Sequence, residues 1–448
     1  MELDPLILSR LQFALTIGFH FLFPPLTIGL AFLLVIIEWL GWRRGDQDYV
    51  EAGKFFGGIL GLTFAVGVAS GIVMEFQFGT NWAEYSKFVG DIFGAPLAAE
   101  AIFAFFLESA FLGLYLFGRG RVSKGLHWFS SLMVSIGSIL SAFWIIAANS
   151  WQQTPAGYVL RGGRAELTSF AEALLNPSTL NRFLHTVNAC LVAGAFLMAG
   201  VSAYLLLRGK ATRLAGKTLK LALIVGLLSS LAALFPTGDR QARQVAHLQP
   251  EKFATIEGLI HTQSRAPLIL FGVPFDDPPR LKFALGIPGV LSWMAFGDVD
   301  APVQGLIDLQ KDGRPTPPIV PVFFSFHTMV GLGLLLIALT AWGVFLLARG
   351  KLLQSRRYLR MLLWSIPLPL LACELGWIVA EVGRQPWVVY RLLKTADAVS
   401  TNVHGGEVLF SIIMFGLIYL ALGTLYVFLL ARKVKHGPES ADAEGGQA

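Results

Sequence analysis

The chain has 448 residues, of which 54% are hydrophobic and only 14% charged. A soluble domain of this length carries about a quarter charged residues, so the composition excludes an ordinary soluble enzyme and indicates an integral membrane protein. The net charge of +6 arises from basic residues in short loops, which membrane topology explains, so no nucleic-acid partner is implied.

Taken in chain order, the apolar runs predict an all-α fold of about nine spanning helices, each near the ~20 residues that a bilayer requires. Their approximate ranges are 11–40, 55–78, 95–118, 126–148, 183–207, 218–236, 322–348, 360–381 and 405–431. Glu2 and Asp4 precede a first run that is too long for a signal-peptide core. Pro24-Pro25 predicts a kink in that run. Cys190 and Cys373 both fall in apolar runs, match no metal-binding spacing and indicate no disulfide framework.

Every second connection is basic: Arg43 and Arg44 with Lys54, then Arg119, Arg121 and Lys124, then Arg208, Lys210, Arg213 and Lys217, then Arg349 to Arg360, and finally Arg432, Lys433 and Lys435. The positive-inside rule assigns these to the cytoplasm, which places the N-terminus outside and the C-terminus inside. Four regions are expected. Residues 1–236 form six spans and 237–321 an outer loop. Residues 322–436 form three more spans, and 437–448 an acidic, Gly-rich, disordered tail. The outer loop is too long for a simple connector and is expected to be functional. Its segment Gln249–Leu259 has the pattern of a short amphipathic helix. No internal repeat is evident, which weighs against an inverted-repeat transporter.

Polar groups inside the spans carry the functional signal, because a carboxylate there is expensive and usually functional. Glu374, Trp377 and Glu381 share one helical face at i, i+3, i+7, and Gly383-Arg384-Gln385-Pro386-Trp387 follows. His20, Glu100, Glu108, His185 and Met329 lie in other spans. The topology sets His185 about 5 Å and Met329 about 10 Å below the outer surface. Imidazole and thioether at matched depth form an axial pair suited to low-spin haem iron. Glu108 is expected about 12 Å deeper than Glu100 by helix rise, as a carboxylate ladder for protons coming from the cytoplasm. Alone, a buried His more often bonds a neighbouring helix, and a buried Met more often fills the core. The residues by themselves leave an electron-transfer protein and a proton-coupled transporter open.

At these residues the chain resembles subunit I of the cytochrome bd family of quinol oxidases over nearly its whole length. The strings are Ser9-Arg10-Leu11-Gln12-Phe13-Ala14, His20-Phe21-Leu22-Phe23, Met74 to Trp82, Gly90 to Leu97 leading into Glu100, Phe105 to Ser109, and Glu381 to Trp387. The resemblance implies three haems: a low-spin haem b, a high-spin haem b, and haem d or a further haem b in its place. It implies His185 and Met329 as ligands of the low-spin haem. His20 and Glu381 would each ligate one of the high-spin pair, with Glu100 close to an iron. Trp377 would lie between haems, and Arg384 would pair with a propionate. Lys252 and Glu257 match the family's quinol-binding stretch, where a proton acceptor is needed; without the family they read as a charge pair on a surface helix. Glu108, Ser141 and Asn149 match polar residues on the proton route.

The reaction so implied is oxidation of membrane quinol at the outer face and reduction of O2 to water with cytoplasmic protons. Implied with it are a second subunit, small single-helix subunits in some members, and a bacterial inner-membrane location. Two departures stand out. His327, two residues before Met329, replaces an Arg of well-known relatives and is a weak rival ligand. The outer loop is of the short type, and Thr395 to Ser400 resembles the cyanide-insensitive branch.

Overall fold

The computed structural model describes residues 4–438. The expected tail therefore lies outside the described residues beyond Pro438. Among the described residues, nine helical segments are long and apolar enough to cross a membrane, one for each expected span. They run 3 to 12 residues beyond the expected ends at most places, because hydropathy marks the apolar middle while polar residues extend the helix into the interface.

The first span is two helices, α1 (Pro5–His20) and α2 (Pro24–Arg44), broken at Phe21–Phe23 where Pro24-Pro25 interrupts the hydrogen-bond ladder. A long α3 (Gln47–Gly79) returns across the membrane. α4 (Ala83–Ala99) continues through a π-helical segment, Glu100–Phe105, into α5 (Phe106–Phe117). Such widened turns are frequent at functional sites. α6 (Lys124–Gln153) is followed by a hairpin, β1 (Tyr158–Arg161) and β2 (Arg164–Leu167), and by short α7 (Phe170–Leu174). α8 (Thr179–Leu207) and α9 (Thr212–Ala232) are the next spans. At Phe235 the backbone turns extended before Pro236, which is where the outer loop was expected to begin.

That loop is ordered. It holds α10 (Asp239–Leu248), α11 (Pro250–Glu257), an antiparallel hairpin of β3 (Leu268–Phe275) and β4 (Arg280–Ile287), α12 (Val290–Phe296) and α13 (Leu306–Lys311). The predicted 249–259 helix is α11, but it is not a surface helix: Glu251 through Glu257 are all buried. α14 (Ile319–Ala348), α15 (Arg356–Trp364) and α16 (Leu368–Glu381) follow. A small hairpin, β5 (Trp387–Val389) and β6 (Leu393–Lys394), leads to α17 (Gly405–His436).

The packed core lies between α2, α8 and α9, with Leu30, Leu33, Phe196, Met198 and Leu219 fully buried. α2 and α8 cross at two glycines: a Cβ on Gly29 would come within 2.8 Å of Gly194 Cα, so only hydrogen allows this approach. The basic loops gather at one end. Lys217 donates to Asp46 and Asp48, Lys210 to the Lys435 carbonyl, and Arg119 pairs with buried Glu38. The opposite end collects α11, the two small hairpins and the segment after α16.

Candidate functional site

α16 packs on α14 and α8, and the face read from the sequence turns its side chains toward α1 and α6. Glu374 Oε2 lies 3.7 Å from where a Cβ on Gly18 would stand. Phe21 and Trp377 meet edge to face at 5.2 Å. At the end of α16, Glu381 accepts from Asn149 Nδ2 at 3.0 Å and pairs with Arg384. Arg182 Nη2 donates to Asn149 Oδ1 at 2.6 Å, and Arg384 Nη1 to Gln152 Oε1 at 3.1 Å. Lys252 reaches in from α11, donating to the Ala380 carbonyl at 2.9 Å and to Gln153 Oε1 at 3.2 Å. Three cationic side chains, Arg182, Lys252 and Arg384, are each less than a tenth exposed around Glu381. Buried charges in this number call for anionic partners.

The two residues of α11 lie outside the spans and differ from the surface reading. Burial, and then the charges of Arg182 and Arg384, hold Lys252 well below the usual lysine range. Burial pushes Glu257 up to about 8. Its Oε2 has no hydrogen-bond partner, so it is free to accept from a bound hydroxyl. Glu251 anchors the same helix, accepting from Tyr390 at 2.8 Å and Arg391 at 3.0 Å.

His20 ends α1, its Nδ1 3.0 Å from Ser70 Oγ on α3, and a Cβ on Gly71 would stand 3.1 Å from its ring. His185 Nδ1 lies 3.4 Å from Thr237 Oγ1. Met329 Sδ faces α16 at Gly376, 3.3 Å from where a Cβ would be. His327 is turned elsewhere. Its Nδ1 is 3.0 Å from the Phe323 carbonyl and its Nε2 2.9 Å from the Ile269 carbonyl, so the weak rival ligand has both ring nitrogens engaged.

Glu100 and Glu108 both lie against α6. Glu100 accepts from Ser141 on α6 at 2.8 Å, and Glu108 packs on Gly137 of the same helix. Those two positions are four residues apart on α6, so both acids face the same helix. The π-helical turn Glu100–Phe105 lies between the two acids. Measured along α6, Glu100 lies eight residues below the Asn149–Glu381 level, about 12 Å.

These donors fit haem. No group of three or more His, Cys, Asp or Glu gathers as a bare-metal site among the described residues, whereas haem iron asks for only one or two protein ligands. His20 and His185 each engage one ring nitrogen with a hydroxyl, which fixes the ring and leaves the other for a metal. The buried guanidiniums match propionate carboxylates, and Arg182 Nε still lacks a partner.

Several participants were missed in the sequence. Arg182 is one turn before His185, and a cation just inside an apolar run is a signal that was available. Glu75 is exposed at membrane depth and close enough to Glu100 to feel its charge. Gln152 and Ser70 carried no signal. Among the conspicuous strings, Gln12 accepts from Asn81 at 2.6 Å, so part of that pattern joins α1 to the end of α3.

Comparison with known proteins gives one family. A family model described as cytochrome bd terminal oxidase subunit I matches residues 8–438. The chain is 42% identical to cytochrome bd ubiquinol oxidase subunit 1 of Bacillus subtilis, over 98% of this chain and 95% of that protein. It is 38% identical to cytochrome bd-II ubiquinol oxidase subunit 1 of Escherichia coli, over 98% of each. The bd oxidase structure from Geobacillus thermodenitrificans superposes with a TM-score of 0.90 at 32% identity, covering 97% of this chain and 99% of that one. The chain thus belongs to the cytochrome bd terminal oxidase subunit I family, and is a haem-dependent quinol oxidase subunit of a bacterial inner membrane.

Proposed function

We propose that this subunit oxidises membrane quinol at the end carrying α11 and reduces O2 to water with protons drawn from the basic, cytoplasmic end. Under that orientation the N-terminus is outside. The observation that carries the reading is Lys252: a loop residue buried against Ala380, the neighbour of Glu381, with its Nζ 2.9 Å from that carbonyl. The loop and the membrane site are therefore one unit.

Glu257 takes a hydroxyl proton from quinol. A carboxyl raised to about 8 is matched to that task, because proton transfer is most effective when the acceptor's pKa lies near the working pH. Lys252 orients the ring oxygens and joins the loop to α16. His185 and Met329 would hold the low-spin haem b, His20 one high-spin haem, and Glu381 the other. Arg384 and Arg182 would neutralise propionates, and Trp377 would pack between the macrocycles. The bound haems, a low-spin b, a high-spin b, and a d or second high-spin b, supply the redox chemistry. Glu108 and then Glu100 pass protons toward the O2 end of the site, with Ser141 orienting Glu100. A subunit II completes the oxidase, and small single-helix subunits are proposed in addition.

A reduced-minus-oxidised absorption spectrum of the purified oxidase tests this. Low-spin and high-spin haem signals together are expected. No haem signal would sink the reading, and a low-spin signal alone would make the protein an electron-transfer subunit without oxygen chemistry.

A further inference from the structure

We propose that the β3–β4 hairpin of the outer loop lies in the outer-leaflet interface of the membrane and forms the lateral entry by which quinol reaches Glu257. This rests on the quinol reading for Glu257, but its first test does not.

The hairpin is outside every span, yet it displays a hydrophobic surface. Leu270, Phe271, Phe283, Leu285 and Ile287 are all exposed, Phe283 by 82%. Register shifts around Phe271 disrupt strict alternation, which leaves the neighbours Leu270 and Phe271 both on the outside. An apolar patch of this kind on an aqueous loop marks an interaction surface.

Its depth identifies the occupant. His327 Nε2 is 2.9 Å from the Ile269 carbonyl on β3, so the hairpin is tied to α14 at His327. α14 has 30 residues, about 45 Å of helix against a hydrocarbon core of about 30 Å. Centred in the membrane, it projects about 7 Å at each end. His327 is eight residues in from Ile319, about 12 Å, and its side chain leans back toward the helix start. Ile269 therefore stands near the outer edge of the hydrocarbon. Phe324, one turn before His327 on α14, is exposed as well. At the far end of the hairpin Arg280 and Lys282 lie over Phe275, at 4.8 and 5.5 Å from its centroid. Apolar side chains below and cations above are the order that lipid tails and phosphates require.

The other side of the hairpin covers the quinol helix. Leu281 approaches Gly258, the residue after Glu257, to 3.4 Å of a Cβ built there. A quinol with an isoprenoid tail would thus pass from lipid along the hairpin to the unpartnered Glu257 oxygen.

The test uses the whole oxidase in nanodiscs, with Cys190 and Cys373 replaced by Ala and a nitroxide attached at Phe283→Cys. A label that relaxes with O2 and is shielded from a water-soluble nickel chelate, against a label at Lys311→Cys that shows the reverse, is expected. Equal nickel access at the two positions would overturn the membrane placement. In a second arm, Phe283→Glu with Leu285→Glu is expected to raise KM several-fold for a long-tailed quinol, with KM for a short, soluble quinol and the haem spectrum unchanged. Equal KM changes for both quinols, or none, would overturn the entry role. If the quinol reading itself is wrong, Glu257→Gln leaves kcat and KM for both quinols unchanged while the spin label still reports lipid.

Discussion

Glu257→Gln isolates one buried acid. Glu257 is 4% exposed, and burial raises it from 4.5 to about 8. That gap corresponds to roughly 5 kcal/mol between its charged and neutral forms. Below pH 4.5 both the folded and unfolded chains hold the proton. Between 4.5 and about 8 the folded chain keeps it and the unfolded chain loses it. Stability must therefore fall as pH rises through this window and level off above it. About 3 kcal/mol of the loss is already present at pH 7. Glutamine has the same shape and no charge, so the variant lacks this slope. Lys252, held low by the same burial, contributes the opposite slope, but it is common to both proteins and cancels in the difference. Thermal unfolding of wild type and variant, followed at pH 5 and pH 9, is the assay. The variant should gain on the wild type by several degrees at pH 9 and by little at pH 5. Quinol oxidation by the wild type should rise with pH toward 8 and flatten in the variant. An equal difference in Tm at both pH values would refute the assignment of a buried, unpartnered acid.

Three further predictions concern the spans. Met329→Leu should abolish or convert the low-spin haem signal while leaving the His20 and Glu381 sites loaded; an unchanged spectrum removes Met329 as a ligand. Glu108→Gln should slow proton uptake during O2 reduction by about a hundredfold or more, the range of a lost acid–base group, with haem content intact; normal proton uptake would take Glu108 off the path. Gly29→Ala should lower thermal stability, because the new methyl meets backbone of α8 on Gly194 and Cys190. Overpacking of this kind costs about 1–3 kcal/mol, and a Tm within one degree of wild type would show that α2 and α8 separate freely.

The nine spans, the break at Pro24-Pro25 and the gathering of the basic loops at one end were legible in the sequence. Each is set by local quantities: the length of an apolar run, a missing amide, a loop's charge. The face of Glu374, Trp377 and Glu381 was legible for the same reason, since helical spacing is local. The resemblance supplied roles for His20, His185, Met329 and Lys252 that spacing alone left open.

Other features were decided only by tertiary structure. Lys252 and Glu257 read as a solvated pair, because nothing in α11 announces that α14 and the end of α16 will cover both of its faces. The ideal-helix spacing of Glu100 and Glu108 held no sign of the π-helical turn between them, nor that both would face α6. Arg182 became a participant only when α8 was laid beside Glu381. The sequence determined which segments cross the membrane, because that is a transfer free energy summed along a run. Only the packing of those segments decided which charges meet, because a buried ion's surroundings come from residues far away in the chain.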